Sequence, residues 1–255
     1  MSLTINVIAR DEEHRIGDCL RSVSWADERI VVVDDRTTDA TAEVARALGA
    51  RVEVRAFEGY SAQRRWAESI SAGEWVMWID ADERASQALA SEVSAVMSRK
   101  DAVAFRVPRL DFMFGRWIRH GGWYPQYHVR LFRRGCVRWE GLVHERAIPD
   151  GPLGTLREPV RHYAHHSVEE WVGKMTRYTS LEAEAMYATG ERVGIVRLAI
   201  EPLAYGLYKL LWQRGFLDGT HGLALAGLMT CYRFLRNLRV WDLARLSKVA
   251  NPEPR

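Results

Sequence analysis

The alternation of short apolar runs with helical patterns over the first hundred residues most constrains the fold of this chain. Four runs, LTINVIA (3–9), RIVVVD (29–34), RVEVRAF (51–57) and EWVMWID (74–80), are strand-like in length and composition. Between and after them lie amphipathic stretches of about ten residues, at 13–23, 38–48, 61–71 and 86–97. Strands separated by helices of that length predict a mostly parallel sheet with helices on both faces. In such sheets ligands sit beyond the carboxyl ends of the strands.

Three of those strand ends are strongly polar. The first run leads into Arg10-Asp11-Glu12, the second into Asp34-Asp35-Arg36-Thr37-Thr38-Asp39, and the fourth into Asp80-Ala81-Asp82-Glu83. The last is the most costly, because a buried strand ends in three nearly adjacent carboxylates. Their mutual repulsion and desolvation need a cation nearby to offset them. A solvated loop with acids opening the next helix would also accommodate them. The coincidence of three polar strand ends favours a common site.

Several classes drop out. No G-x-G-x-x-G follows the first strand and no P-loop occurs, which argues against dinucleotide-dependent hydride transfer and against a P-loop NTPase. The net charge of +3 is too small to argue for nucleic acid. Cys19, Cys136 and Cys231 are odd in number and widely spaced, so they form neither a disulfide framework nor a zinc pattern, and a reducing compartment is expected. No signal peptide is recognised ahead of the first strand. With 47% hydrophobic and 27% charged residues the chain is globular, and its 255 residues suit one large domain or a domain with an appendage.

The middle, residues 101–166, reads differently. VAFRVPR (103–109) and YHVRLFRR (127–134) are strand-like, and residues 110–125 form an irregular, aromatic, loop-rich insertion. From Ser167 the pattern is helical: one helix to Gly190, then segments 194–213 and 219–240. Leu203–Val249 holds seven Lys and Arg against two Asp, among many Leu, Trp and Tyr. Its longest uncharged stretch, Gly219–Tyr232, has 14 residues, short of the roughly 20 that a spanning helix requires. A basic, apolar helical segment of this kind is expected to touch a membrane surface peripherally, through 194–245.

Taken in order, N6VIARDEE13, I30VVVDDRTTDAT41, Q63RRWAESISAGEWVMWIDADE83, R130LFRR134 and V143HE145 resemble the family 2 glycosyltransferases, in particular the bacterial branch that extends lipopolysaccharide core or related envelope glycans. The resemblance runs from about Leu3 to Leu243, including G215FLDGTHGL223. It implies a GT-A fold: a mixed, mostly parallel sheet flanked by helices, with a catalytic domain over 1–166, divided into a nucleotide-sugar half (1–100) and an acceptor half (101–166). Residues 167–255 would be a helical C-terminal extension.

The same resemblance implies the site. Asp34 would contact the nucleobase, with Arg10, Asp11 and Glu12 near it. Arg64 would hold the nucleotide, and Arg130 or Arg133 would neutralise the leaving diphosphate. Asp82 would bind Mn²⁺ or Mg²⁺, with Asp80 at the ribose or the ion. A base drawn from Glu145 and His144, with Asp111 further back, would deprotonate the acceptor in an inverting transfer. Trp117, Trp123 and Tyr124 are candidates for packing on an acceptor sugar, or for the core. His162, His165 and His166 match no zinc spacing and are read as helix-start or packing residues.

The second motif departs from the family's usual D-S-G-S-T-D, because Asp35 and Arg36 replace a serine and a glycine. The expected activity is transfer of a hexose from a nucleotide sugar, UDP-glucose or similar, to a glycolipid or oligosaccharide acceptor at the inner face of the bacterial inner membrane. Two alternatives compete: a sugar-nucleotide nucleotidyltransferase and a non-catalytic receiver-like domain built on V31VVDD35. The first wants a glycine-rich basic loop after the first strand, where this chain is acidic. The second leaves D80AD82 and the helical tail unexplained.

Overall fold

The computed structural model describes residues 1–140, 146–165 and 167–250. Its order opens with β1 (Leu3–Ala9), α1 (Glu13–Ser22), β2 (Glu28–Asp34), α2 (Thr41–Ala47), β3 (Arg51–Arg55), α3 (Tyr60–Ile70) and β4 (Trp75–Trp78). It continues with β5 (Glu83–Arg84), α4 (Gln87–Met97), β6 (Ala104–Met113), β7 (Arg116–Trp117), β8 (Gln126–Arg133), β9 (Val137–Glu140), β10 (Arg146–Pro149), β11 (Leu153–Thr155) and β12 (Val160–His165). The C-terminal helices are α5 (Val168–Ala188), α6 (Ile195–Leu207) and α7 (Gly219–Ala250). A π turn over Tyr208–Trp212 and a 3₁₀ turn over Gly215–Asp218 join α6 to α7.

The main sheet runs β3-β2-β1-β4-β8-β6-β12-β5. β3, β2, β1 and β4 are mutually parallel, as the alternating pattern predicts, and β8 then pairs antiparallel with both β4 and β6. The result is the mixed sheet flanked by helices that the sequence implies. Within its parallel part β1, β2 and β4 are buried on both faces: Ile5, Val7, Ile30 to Val33 and Trp75 to Ile79 are all almost fully excluded from solvent, while the edge strand β3 is not. That two-sided burial is why these strands read as continuous apolar runs. The polar exceptions are paired: Asn6 Nδ2 donates to Ser71 Oγ at 3.0 Å, and Thr4 Oγ1 donates to Glu28 at 2.6 Å.

Local chemistry sets the element ends. Ser86 and Ser167 cap α4 and α5 by accepting from the backbone N–H three residues on, at 3.1 Å in each case. Gly49, at φ +76, ends the turn after α2. The loop-rich reading of 110–125 is corrected at its start, where β6 continues to Met113 and folds back on β7. Phe114 and Gly115, at φ +53 and +79, supply the two left-handed residues a tight hairpin requires.

The compact units do not follow chain order. Residues Met1–Leu110 and Pro125–Tyr163 form one, and Asp111–Tyr124 with Ala164–Arg255 form the other. In the second unit α7 packs against α5 and α6, and it corrects the expectation for the basic tail. Arg236 is buried and donates to Glu201 at 3.2 Å and to Asn237 Oδ1 at 2.9 Å. Arg233 reaches Glu201 at 3.1 Å, and Arg239 bonds to Thr176 and Thr179 on α5. These arginines clamp three helices together, so they are not an outward basic face.

Candidate functional site

Within the first unit, strand order 3-2-1-4 puts the reversal of winding at β1, so the carboxyl ends of β1, β2 and β4 open onto a topological switch point. The loops after β1 and β2 are knitted together there. Asp11 sits at φ +53, uncommon for a residue with a side chain, and its Oδ1 accepts from the Thr38 backbone N–H at 2.8 Å. Asp39 accepts from the Glu13 N–H at 2.9 Å and from Thr41. Glu12 opens α1, and its carboxylate lies 3.6 Å from Arg15. Asp11 and Glu12 are thus engaged in shaping the two loops.

Asp34 is buried at the end of β2. Arg36 forks onto it, Nε to Oδ1 at 2.9 Å and Nη2 to Oδ2 at 2.6 Å, with Arg10 at 4.0 Å. The Arg36 hydrogen bonds outweigh burial and hold the Asp34 carboxyl down at about 2. Arg36 therefore occupies the edge where the resemblance places a nucleobase contact.

The end of β4 holds the most charged buried cluster. Because β8 pairs antiparallel with β4 in the register Met77↔Leu131, Arg130 falls level with the exit of β4. Its Nη2 donates to Asp80 Oδ2 at 2.9 Å and to Glu83 Oε1 at 2.8 Å. Glu83 is fully buried, and its other oxygen accepts from the Asp80 N–H at 2.9 Å. Burial and the neighbouring aspartates push Glu83 up to about 7, even with Arg130 pulling it down. Burial acts on Asp80 too, but Arg130 and Arg64 overcome it and hold that carboxyl well below its usual range.

Arg64 lies 3.7 Å from Asp80 Oδ1 and against two indoles that meet edge-on, with its guanidinium 4.6 Å from the Trp78 ring and 4.8 Å from the Trp139 ring. Both indole N–H groups donate to Glu68 Oε1, at 3.1 and 2.6 Å, which fixes the walls around the guanidinium. A cleft of about 660 Å³ opens beside this assembly. Among the described residues Arg64, Arg109, Arg130 and Arg146 line it, with His128 and one carboxylate, Asp80. Four guanidiniums against Asp80, the one acid among the described lining residues, suit a doubly charged, oxygen-rich ligand such as a diphosphate.

Asp80, a metal candidate from the sequence, has an arginine at each oxygen, Arg64 at 3.7 Å from Oδ1 and Arg130 at 2.9 Å from Oδ2. Asp82 differs: its Oδ2 lies 3.3 Å from His162 Nε2, and its backbone oxygen accepts from the Tyr163 N–H. Antiparallel pairing of β12 with β5, His162↔Glu83, brings the imidazole there and corrects its reading as a packing residue. Among the described residues no three His, Cys, Asp or Glu side chains converge as a metal cage. A carboxylate and an imidazole fit a divalent ion that draws its other ligands from phosphate and water, as Mn²⁺ and Mg²⁺ both do, with Mg²⁺ accepting the imidazole nitrogen less readily.

Other predicted residues fall elsewhere. Arg133 is corrected: it pairs across from Trp75 at the start of β4, stacks on that indole at 4.7 Å and donates to the Arg99 carbonyl. It is at the wrong end of the strand for the cleft. Trp117, Trp123 and Tyr124 belong to the second unit. Trp123 packs against Ile118 and Leu225, while Trp117 meets Tyr124 edge-on and Arg119 face-on. Asp111 is buried at the end of β6 in that unit. His144, Glu145 and His166 lie outside the described residues. Arg109, Arg146, His128 and His162 were missed from sequence. Simple alternation along β8 would not have found His128, because the β6–β8 register skips Arg130 at a bulge and Tyr127 to Arg130 all border the cleft.

A mixed sheet with carboxylates at its strand ends and an arginine-lined cleft beside them is the GT-A architecture of a glycosyltransferase. The chain belongs to glycosyl transferase family 2, whose sequence profile matches residues 4–147. Its relatives include the lipopolysaccharide core biosynthesis glycosyltransferase LpsC of Rhizobium meliloti, 28% identical over 95% of this chain and 93% of that one. An uncharacterized glycosyltransferase of Rickettsia typhi is 27% identical over 95% of this chain and 87% of its own length. Among solved structures, glucosyl-3-phosphoglycerate synthase of Mycobacterium tuberculosis, in complex with Mn²⁺, UDP and product, aligns over 45% of this chain and 44% of its own. Its TM-score is 0.36 and its identity 22%.

Proposed function

We propose that this glycosyltransferase moves a hexose from a nucleoside-diphosphate sugar to a lipopolysaccharide core or related envelope glycan, with inversion and with a divalent cation. The observation that carries the reading is the cleft lined by Arg64, Arg109, Arg130 and Arg146 beside Asp80. The similarity to LpsC over nearly both whole chains supports the acceptor class. Asp34, ionised across the physiological range, serves as acceptor for an N–H of the base once Arg36 yields that edge. Arg64, held against two indoles, and Arg130, fixed by Asp80 and Glu83, hold the diphosphate without having to reorganise as charge grows on it. Asp82 and His162 would hold the cation, which when bound supplies Lewis-acid stabilisation of the departing diphosphate. His144 or Glu145 remains the proposed base.

Titration calorimetry with UDP, in Mn²⁺ and then in EDTA, tests this. Metal-dependent binding is expected, weakened about 10- to 100-fold by Asp82→Ala or His162→Ala. Binding that ignores metal and both substitutions would remove Asp82 and His162 from the cation site. Absence of binding to UDP and to other nucleoside diphosphates alike would overturn the donor assignment.

A further inference from the structure

In the second unit, α6 is amphipathic in the inverted sense. Its charged residues are all engaged inward: Arg197 with Glu191 and Glu201, Glu201 with Arg233, Arg236 and Asn237, and Lys209 just beyond it with the Gly121 carbonyl. The side against α7 is tight, with Pro202 and Gly206 buried. By contrast, every exposed residue from Ile195 to Trp212 is apolar or aromatic, in pairs recurring every fourth position. Val196, Ile200, Leu203, Leu207 and Leu211 are 56 to 63% exposed and Trp212 is 79% exposed. The face continues through Phe216 and Leu217 in the 3₁₀ turn. An uncharged helix face about 27 Å long, at 1.5 Å per residue, marks an interaction surface.

Charge at its ends identifies the occupant. Arg192 is exposed at the start of the face and Arg214 at its finish. Leu217 also borders a recess of about 430 Å³ that is lined by Arg116, Trp117 and Arg119. His120 closes the recess, held by its Nδ1 3.2 Å from the buried Asp218. Apolar side chains flanked by outward arginines and by Trp117 and Trp212 match the boundary between acyl chains and anionic headgroups. No described helix is long and apolar enough to cross a membrane, so this one would lie in the plane.

We propose that the outer face of α6, from Ile195 through Leu217, seats in the headgroup–acyl boundary of an anionic phospholipid leaflet, with Arg116, Arg119 and Arg214 at the phosphates. This narrows the peripheral contact expected over 194–245 to one helix face, and it excludes Arg233, Arg236 and Arg239 of α7, which are engaged inward. It rests on the exposed face and not on the donor chemistry above, so either reading can fail without the other.

Flotation of the full chain with vesicles tests it. The wild-type chain is expected to float with phosphatidylcholine–phosphatidylglycerol vesicles. Recovery should drop about tenfold on phosphatidylcholine alone, and similarly with Arg116→Gln/Arg214→Gln on the anionic vesicles. Leu203→Glu/Leu207→Glu should abolish flotation while its melting temperature stays within a few degrees of wild type. If that pair misfolds, Ile200→Ser/Leu211→Ser takes its place under the same criterion. Three outcomes overturn the proposal: a wild-type chain that stays at the bottom, a folded Glu variant that floats as well as wild type, or a wild-type dimer in light scattering that the Glu variant converts to monomer without any flotation by either.

Discussion

Replacing Arg130 with methionine removes the one cation that bonds directly to two carboxylates at the exit of β4. Arg130 and Glu83 are both buried, their contact is 2.8 Å, and the second bond to Asp80 is 2.9 Å. Removing one member of a buried pair leaves the other desolvated and costs about 3–5 kcal/mol. With a urea slope of about 3 kcal/mol/M, the unfolding midpoint should fall by about 1 M or more. The loss should depend on pH in a definite direction. Burial already raises Glu83 above its ordinary value, to about 7, and loss of Arg130 raises it further. A carboxyl raised on folding stabilises least where the unfolded state is ionised and the folded state must follow. The deficit of Arg130→Met relative to wild type should therefore widen from pH 5.5 to pH 8.5, and Arg130→Met/Glu83→Gln should recover much of it. Urea midpoints for the four proteins of that cycle at the two pH values decide the matter. A deficit below about 1 kcal/mol, or one equal at both pH values with no recovery in the double variant, would refute a buried carboxylate held ionised by Arg130.

Three further outcomes are expected. Arg64→Lys should weaken UDP binding about tenfold or more in calorimetry, although charge is kept, because an ammonium cannot stack on Trp78 and Trp139 as a planar guanidinium does or present a planar fork of two N–H groups to a phosphate. Asp34 has its carboxyl lowered from 3.8 to about 2 by Arg36, so its contribution is present above pH about 4 and lost as pH falls toward 2. The stability gap between wild type and Asp34→Asn, from urea midpoints, should close across that window. In Gly222→Ala the new methyl would lie 1.8 Å from the Gly215 carbonyl oxygen, so the start of α7 must shift, at a cost of about 1–3 kcal/mol. An unchanged melting temperature would contradict that packing.

The sequence read the parallel core well because its signal is local. Runs buried on both faces, such as Trp75 to Ile79, separated by ten-residue amphipathic stretches, have few other solutions. The acidic strand ends were legible for the same reason, since strand termination and the D80AD82 spacing are properties of neighbouring residues, whereas Arg64 was named only through the family resemblance. The hairpin at Phe114-Gly115 was not, because a left-handed phenylalanine leaves no compositional mark.

Which charges meet is decided by register between distant strands and by packing between helices. Arg130 and Arg133 are equivalent in sequence, but pairing of β8 with β4 sends one to Asp80 and the other to Trp75 at the opposite end. His162 reaches Asp82 across 80 residues only because β12 lies beside β5. The tail shows the same division most clearly. Its basic, apolar composition is visible in the sequence, yet only the structure turns Arg233, Arg236 and Arg239 inward and α6's apolar side chains outward. Composition fixes how much charge and apolar surface a segment carries. Which of it is buried depends on the partner that each face finds, and that partner is chosen by the fold.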